Sequence, residues 1–445
     1  MKNKEILDQE GQTFASASRI KYFDMVIDSG KGAMLKDVEG HEYIDLLASA
    51  SSTNTGHSHP KVVEAITKQA QKLIQYTPAY FANVPAARLT KRLADLSPIE
   101  GPAEVAWGNS GSDANDAVIK FARGYTGRQN VVSFTGAYHG STYGSMSASA
   151  VSLNMSRKMG PLMEGFYKVP YPSPWYRKSY ETQDQFIDRM FEEFKLPFET
   201  YLPADEVALI LVEPIQGDGG IAKAPEKYLQ KVYEFAHEHG ILFAVDEVNQ
   251  GMGRTGKWWS IQNFPGIHPD LMSVGKSLAS GLPLSAVVGR KEIIESLDAP
   301  ANVYTTAGNP VTTAAALATF DVIEDEHLLQ RSHDLGQEAK EFFDKMKEKY
   351  DFIGDVRMYG LDGGIDIVDP RTHQPAVQVA TKLIYRMFEL GVIMITVRGN
   401  VLRFQPPLVI TEEQLHRAFD VIEHAMQDEA DGNIAFDKNI GWSTD

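Results

Sequence analysis

Two short apolar runs, residues 208–212 (ALILV) and 241–245 (ILFAV), constrain this chain more than any other feature. Every position in them is apolar, so neither face of either segment suits contact with water. Runs of this kind fit parallel strands covered on both faces. Between them lies PEKYLQKVYEFAHEHG, which reads as a helix. Pro225 suits its first turn, Gly240 suits its stop, and Leu229, Val232, Tyr233 and Ala236 form one apolar stripe. Strand, helix, strand with short joints is a βαβ unit, and it predicts a central parallel α/β sheet. Leu271–Val274 and residues 285–289 read as further strands.

The rest of the chain is arranged around that unit. GAMLKDVEGHEYIDLL alternates apolar and polar residues on both sides of Glu39-Gly40, as a hairpin does. From residue 61 the pattern turns helical, with Val62, Ala65, Ile66 and Ala70 on one face. After about residue 311 longer helices dominate. There Thr411 and Gln414 have capping-box spacing ahead of Leu415, Ala418, Phe419 and Ile422. These patterns predict an N-terminal segment (1–60) packing with the small domain, a large domain (61–310) and a smaller α+β domain (311–445). The tail from Asp428 is polar and expected at the surface.

Composition narrows the function. Zero cysteines among 445 residues exclude a disulfide framework, a thiolate metal site and a Cys nucleophile. A net charge of −16 argues against nucleic acid as a partner. No apolar run approaches the ~18 residues of a membrane span, and MKNKEILDQEGQ lacks the apolar core of a signal peptide. The expectation is a cytoplasmic enzyme that binds no membrane.

Ligands of open α/β sheets bind beyond the carboxyl ends of the strands. Glu213 follows ALILV, Asp246 follows ILFAV, and Lys276 follows LMSVG. A structural ion pair would account for a carboxylate and an amine there equally well. Ser110, Gly111 and Ser112 stand just before a helix whose Ala114, Ala117, Val118, Phe121 and Ala122 form an apolar face. Backbone N–H groups at that terminus suit an anion, although Ser and Asp also serve as plain helix caps. Phosphate, carboxylate and amine together are what pyridoxal 5'-phosphate needs: an anion cradle, a partner for its pyridine nitrogen, and a lysine for its aldehyde. Tyr138, in SFTGAYHGST, is the candidate aromatic for stacking on the ring.

NSGSDAND, AYHGST, LVEPIQGDGG, AVDEVNQGMGRTG, SVGKSLASGLPLSAVVG, TTAGNP and LRFQPPLVI occur in this order over most of the chain. Together they resemble the class III aminotransferase family of fold type I. The resemblance implies a large domain with a mostly parallel sheet flanked by helices, and a smaller α+β C-terminal domain. It gives Lys276 the role of Schiff-base lysine and Asp246 that of partner to the pyridinium nitrogen. Val248 would pack on the ring face opposite Tyr138. Ser110, Gly111 and Ser112 would hold the phosphate, with Glu213 among the cofactor-binding residues. Thr305 would reach the phosphate of a neighbouring subunit's cofactor, which implies a homodimer with a shared site and a tetramer as a further level.

IDLLASASSTNTGHSHPKVV, QKLIQYTPAYF and EPIQGDGG are similar to the amino acid racemases of that family. This implies inversion of Cα in branched-chain amino acids, L-isoleucine to D-allo-isoleucine and back. Lys276 and Asp218 would be the two bases. Many transaminases of the family carry Glu where Asp218 stands, and Asp218 in GDGG also reads as a turn residue. The alternative activity is transamination of an amino acid or other primary amine. Arg403 would grip the substrate carboxylate, and Tyr80, with Phe81, would line the side-chain pocket. Residues 251–257 fit G-x-x-x-x-G-K, but Trp258 stands where Ser or Thr should follow, so a nucleotide loop is set aside. His57 and His59 sit in a Gly/Ser/Pro loop and are read as loop histidines with backbone partners. No metal is expected.

Overall fold

The computed structural model describes residues 3–436 and 441. The chain divides into two compact units. One comprises the described parts of Met1–Pro60, Gly253–Gly256 and Ile323–Asp445. The other comprises Lys61–Met252 and Lys257–Val322.

The second unit is built on a seven-stranded sheet. Its spatial order is Ala103–Gly108, Ser285–Arg290, Leu271–Val274, Leu242–Asp246, Val207–Val212, Asn130–Phe134 and Phe166–Val169. The pairs from Leu271–Val274 onward are parallel, while Ser285–Arg290 runs antiparallel to both of its neighbours. All residues of Val207–Val212 and Leu242–Asp246 are buried, as their unbroken apolar character requires. The helix between them spans Glu226–Glu238, with Leu229, Val232 and Ala236 buried. Pro225 stands just outside it as the N-cap rather than inside its first turn, because its ψ of 134° is not helical. Gly240 follows the helix at φ +62°, a left-handed conformation that favours glycine.

Helix Gly111–Thr126 packs on this sheet. Ala117, Val118, Phe121 and Ala122 meet Leu209, Leu211, Leu242 and Ala244 in one apolar cluster. Register then sets the positions of the polar residues. Val245 pairs with Val212, so Asp246 and Glu213 leave adjacent strands at the same level. Asp246 pairs with Ser273, so Lys276 follows three residues beyond.

In the first unit, Met34–Asp37 and Glu42–Asp45 form the hairpin around Gly40, and Val392–Ile393 extends that sheet. A second, antiparallel sheet contains Ile353–Met358, Gly363–Ile367, Val401–Phe404 and Ile395–Val397. Thr411 and Gln414 form a reciprocal capping box for helix Glu412–Ala430. That helix carries regular structure past Asp428, so the surface tail is shorter than its polarity suggests; residues 437–440 and 442–445 lie outside the described part. No described helix is long and apolar enough to cross a membrane.

Candidate active site

Helix Gly111–Thr126 starts at a built anion cradle. Ser110 is its N-cap: Ser110 Oγ accepts from Asp113 N–H at 3.2 Å, and Asp113 Oδ2 accepts from Ser110 N–H at 3.1 Å. Capping and anion binding are therefore compatible. The cap engages Asp113, while the N–H groups of Gly111 and Ser112 precede the first intrahelical bond. Ser112 Oγ accepts from Ser141 N–H at 3.0 Å, which leaves its hydroxyl proton available as a donor. The walls are close. A methyl group on Gly111 would stand 2.7 Å from Val248 Cγ1, and one on Gly140 would stand 2.5 Å from Ser112 Oγ.

Asp246 is buried and held by three donors. Asn115 Nδ2 and His139 Nδ1 reach Oδ2 at 2.7 and 2.8 Å, and Val248 N–H reaches Oδ1 at 3.0 Å. Facing a carboxylate, His139 Nδ1 carries the proton and donates. Asn115 also donates to the His139 carbonyl at 2.7 Å, so helix, loop and strand end are joined at one point. Neither Asn115 nor His139 was singled out from the sequence. The signal for Asn115 was its spacing: it falls on the face of Val118 and Ala122, a polar residue in an apolar stripe.

The remaining expected residues group into two banks. On one, Val248 Cγ1 lies 3.5 Å from the position of a Cβ on Gly275, the residue before Lys276, and it also contacts Gly111. Lys276 has φ +46°, an unfavourable conformation for a side-chain-bearing residue and one that clusters at functional sites. On the other bank, Tyr138 N–H donates to Glu213 Oε2 at 3.2 Å, and Gly217 N–H donates to Glu213 Oε1 at 3.3 Å. Asp218 follows in that turn, and its charge acts on Glu213. Burial, Asp246 and Asp218 push the Glu213 carboxyl well above its ordinary value, against the two N–H donors. Asp246 stands between the banks, bonded to Val248 on one and to His139, the neighbour of Tyr138, on the other.

Several buried polar atoms line this region without a hydrogen-bond partner among the described residues: His139 Nε2, Asn115 Oδ1, Ser273 Oγ and Ser277 Oγ. Buried polar atoms are normally paired, and their concentration here suits a polar ligand. The cradle, the oriented Asp246 and the strand-end lysine fit pyridoxal phosphate.

Tyr80 and Thr305 lie on exposed segments of the same unit, and Thr306, next to Thr305, donates to Asn109 Oδ1 beside the cradle at 3.1 Å. Arg403 belongs to the other unit, where it is buried and its Nε donates to Gln405 Oε1 at 2.6 Å. The loop histidines differ from expectation. His57 pairs with the Asp45 carboxylate at 2.7 Å in addition to its backbone bonds to Gly32, and His59 pairs with Glu326 at 3.0 Å, so side-chain carboxylates join their partners. The proximity of those carboxylates is tertiary and invisible in the local sequence.

A match to the class-III aminotransferase family covers residues 15–426, and the chain belongs to that family. It is 58% identical to the isoleucine 2-epimerase of Lentilactobacillus buchneri, with 99% of each chain covered. It is 43% identical to the leucine/methionine racemase of Thermococcus litoralis, over 98% of each. Among solved structures, an amine transaminase from an uncultivated Pseudomonas species in its PLP-bound form superposes with a TM-score of 0.84. That pair is 27% identical, with 91% of this chain and 94% of the other covered.

Proposed function

We propose that this chain is a pyridoxal-phosphate racemase that inverts Cα of branched-chain amino acids, interconverting L-isoleucine and D-allo-isoleucine. The observation that carries the reading is that the segments of the two candidate bases meet different residues. Gly275, which precedes Lys276, lies against Val248, whereas Glu213, which feels the charge of Asp218, accepts from the Tyr138 N–H. Inversion removes a proton on one side of Cα and returns one on the other, so it needs acid–base groups on opposite sides. When bound, the cofactor withdraws the electron pair left at Cα. Gly111, Ser112 and the Ser110 hydroxyl hold its phosphate, and Asp246 keeps its ring nitrogen protonated. Lys276 Nζ moves the proton on one face and the Asp218 carboxylate on the other.

The proposal includes a homodimer. Ile74 (65% exposed), Tyr80 (74%) and Phe81 (63%) are exposed apolar residues of one short strip of sequence, of the kind that a second chain covers. That strip is tied to the Thr305 segment: Gln75 Nε2 donates to Thr305 O at 2.9 Å, and Asn309 Nδ2 donates to Ile74 O at 3.0 Å. A partner seated on the strip would therefore bring Thr305 and Tyr80 to a shared site.

Incubation with L-isoleucine in D₂O, without a keto acid, tests the activity. Many turnovers to Cα-deuterated D-allo-isoleucine are expected. A single turnover to the keto acid, with the amino group left on the cofactor, would instead show an aminotransferase. Replacing Asp218 by Asn is expected to slow inversion far more than it weakens cofactor binding.

A further inference from the structure

Glu213 is a buried carboxylate whose most influential charged neighbours, Asp246 and Asp218, are both acidic. Its two oxygens are divided between two chain segments: Oε2 takes the N–H of Tyr138, and Oε1 takes the N–H of Gly217. Gly217 opens the turn that carries Asp218, closed by Gly220 and Ile221 N–H groups donating to Gly217 O at 3.0 and 3.1 Å. The same two segments touch again nearby. Gln216 Nε2 donates to Thr135 O at 2.9 Å, and a methyl group on Gly219 would stand 2.8 Å from Gly136 O.

We propose that Glu213 is a positioning residue that clamps the ring-stacking tyrosine to the turn of the second base. The inference rests on the racemase reading for the role of Asp218. A buried carboxyl whose two most influential charged neighbours are acidic is costly to ionise. Its geometry suits one task that no other side chain of similar size performs. Two backbone donors from separate segments need two acceptor oxygens on one rigid plane. Glutamine offers one acceptor and turns an N–H toward the other donor, while alanine offers none. With the clamp intact, Tyr138 and Asp218 move as one bank, and the distance from the stacked ring to the Asp218 carboxylate is fixed. Loosening it should impair proton transfer on the Asp218 side and leave the Lys276 side in place. Proton-transfer geometry is sensitive to displacements of about 1 Å.

Two measurements on Glu213→Gln and Glu213→Ala test this. The first is amide hydrogen exchange in the protein without cofactor. Exchange in peptides covering 136–141 and 217–221 should accelerate about tenfold or more for the alanine variant, the loss of a net hydrogen bond of ~1.5 kcal/mol. The glutamine variant should loosen one of the two segments, and helix Gly111–Thr126 should keep its protection in both. The second is washout of the α-proton into D₂O in the loaded enzyme, followed separately from L-isoleucine and D-allo-isoleucine. It should slow about 10- to 100-fold from one epimer and stay within about threefold from the other. Unchanged amide exchange in both segments, or equal slowing from both epimers, would overturn the clamp. If the wild type does not invert Cα, the kinetic half falls with the racemase reading, while the amide exchange still decides whether Glu213 joins the segments.

Discussion

Arg254 in one unit and Asp246 in the other are both ionic side chains sealed inside protein, yet their surroundings differ. Arg254 Nε donates to Ser51 Oγ at 3.1 Å, and its other nitrogens donate to the carbonyls of Leu361 and Pro406 and to the Asn54 amide oxygen. Those bonds tie together three stretches distant in sequence. Burial pulls its guanidinium down to about 10, which leaves it charged at neutral pH. Asp246 is also fully bonded, but the atoms beside it, His139 Nε2 and Asn115 Oδ1, have no partner among the described residues. An ion enclosed by hydrogen bonds to the chain is an anchor. An ion whose supporting residues still expose buried polar atoms belongs to a site built for a further polar group.

The largest expected effect tests the second half of that contrast. Lys276→Ala should remove the visible absorbance of the lysine-linked cofactor and lower inversion by at least about 10⁴-fold, as loss of a covalent participant does. Retained absorbance would mean that another amine holds the cofactor. Arg254→Met tests the first half through stability. It strands the carbonyls of Leu361 and Pro406 inside the unit, and the cost should be about 3–5 kcal/mol in denaturant unfolding of the cofactor-free protein. A cost below about 1 kcal/mol would break the view of Arg254 as an anchor.

Glu247 sharpens the comparison, because it adjoins Asp246 in sequence and does the anchor's work. Its carboxylate accepts from Ser260 N–H at 2.8 Å, Ile261 N–H at 2.7 Å and Ser260 Oγ at 2.9 Å, pinning a loop. Burial pushes the carboxyl up from 4.5 to about 7 against those three donors. Between these values the folded chain binds a proton that the unfolded chain has released. Its contribution is therefore fully present below 4.5 and is lost as the pH rises through about 7. Relative to Glu247→Gln, the wild type should lose about 2–3 kcal/mol of stability between pH 5 and 8. Parallel curves for the two proteins would show that the carboxyl is ionised throughout.

The sequence exposes the parts of the site that sit at strand ends. Apolar runs buried on both faces stop abruptly, so Glu213, Asp246 and Lys276 stand out as the first polar residues beyond the sheet. Ser110–Ser112 is legible for a similar reason, because a helix start carries a local composition. The division into two banks is not legible. It depends on Tyr138 meeting Glu213 across 75 residues and on Val248 filling the space that glycines 111 and 275 leave. Arg254 is not legible within GMGRTGK, whose glycine spacing points to a nucleotide loop. A buried arginine bonded mainly to distant oxygens leaves no periodic trace. Nor does His139, whose role comes from the carboxylate it faces rather than from its neighbours in AYHGST.

His139 therefore gives the smallest and most discriminating prediction. Its ring donates Nδ1–H to Asp246, while Nε2 has no hydrogen-bond partner among the described residues, so its removal leaves the carboxylate with Asn115 and the Val248 N–H. His139→Phe keeps the volume and deletes that donor. A hydrogen bond to a charged acceptor contributes about 1.5–3 kcal/mol, so inversion should fall roughly 10- to 100-fold and cofactor affinity should weaken. Asparagine places a donor near the position of Nδ1, and His139→Asn should recover most of both losses. Rescue by asparagine separates the bond from packing, since asparagine fills the space less well than phenylalanine does. If phenylalanine preserves cofactor affinity and asparagine does not, His139 acts by filling space. It would then belong with the anchors, and the contrast between the two ions would narrow to Asp246 and Asn115 alone.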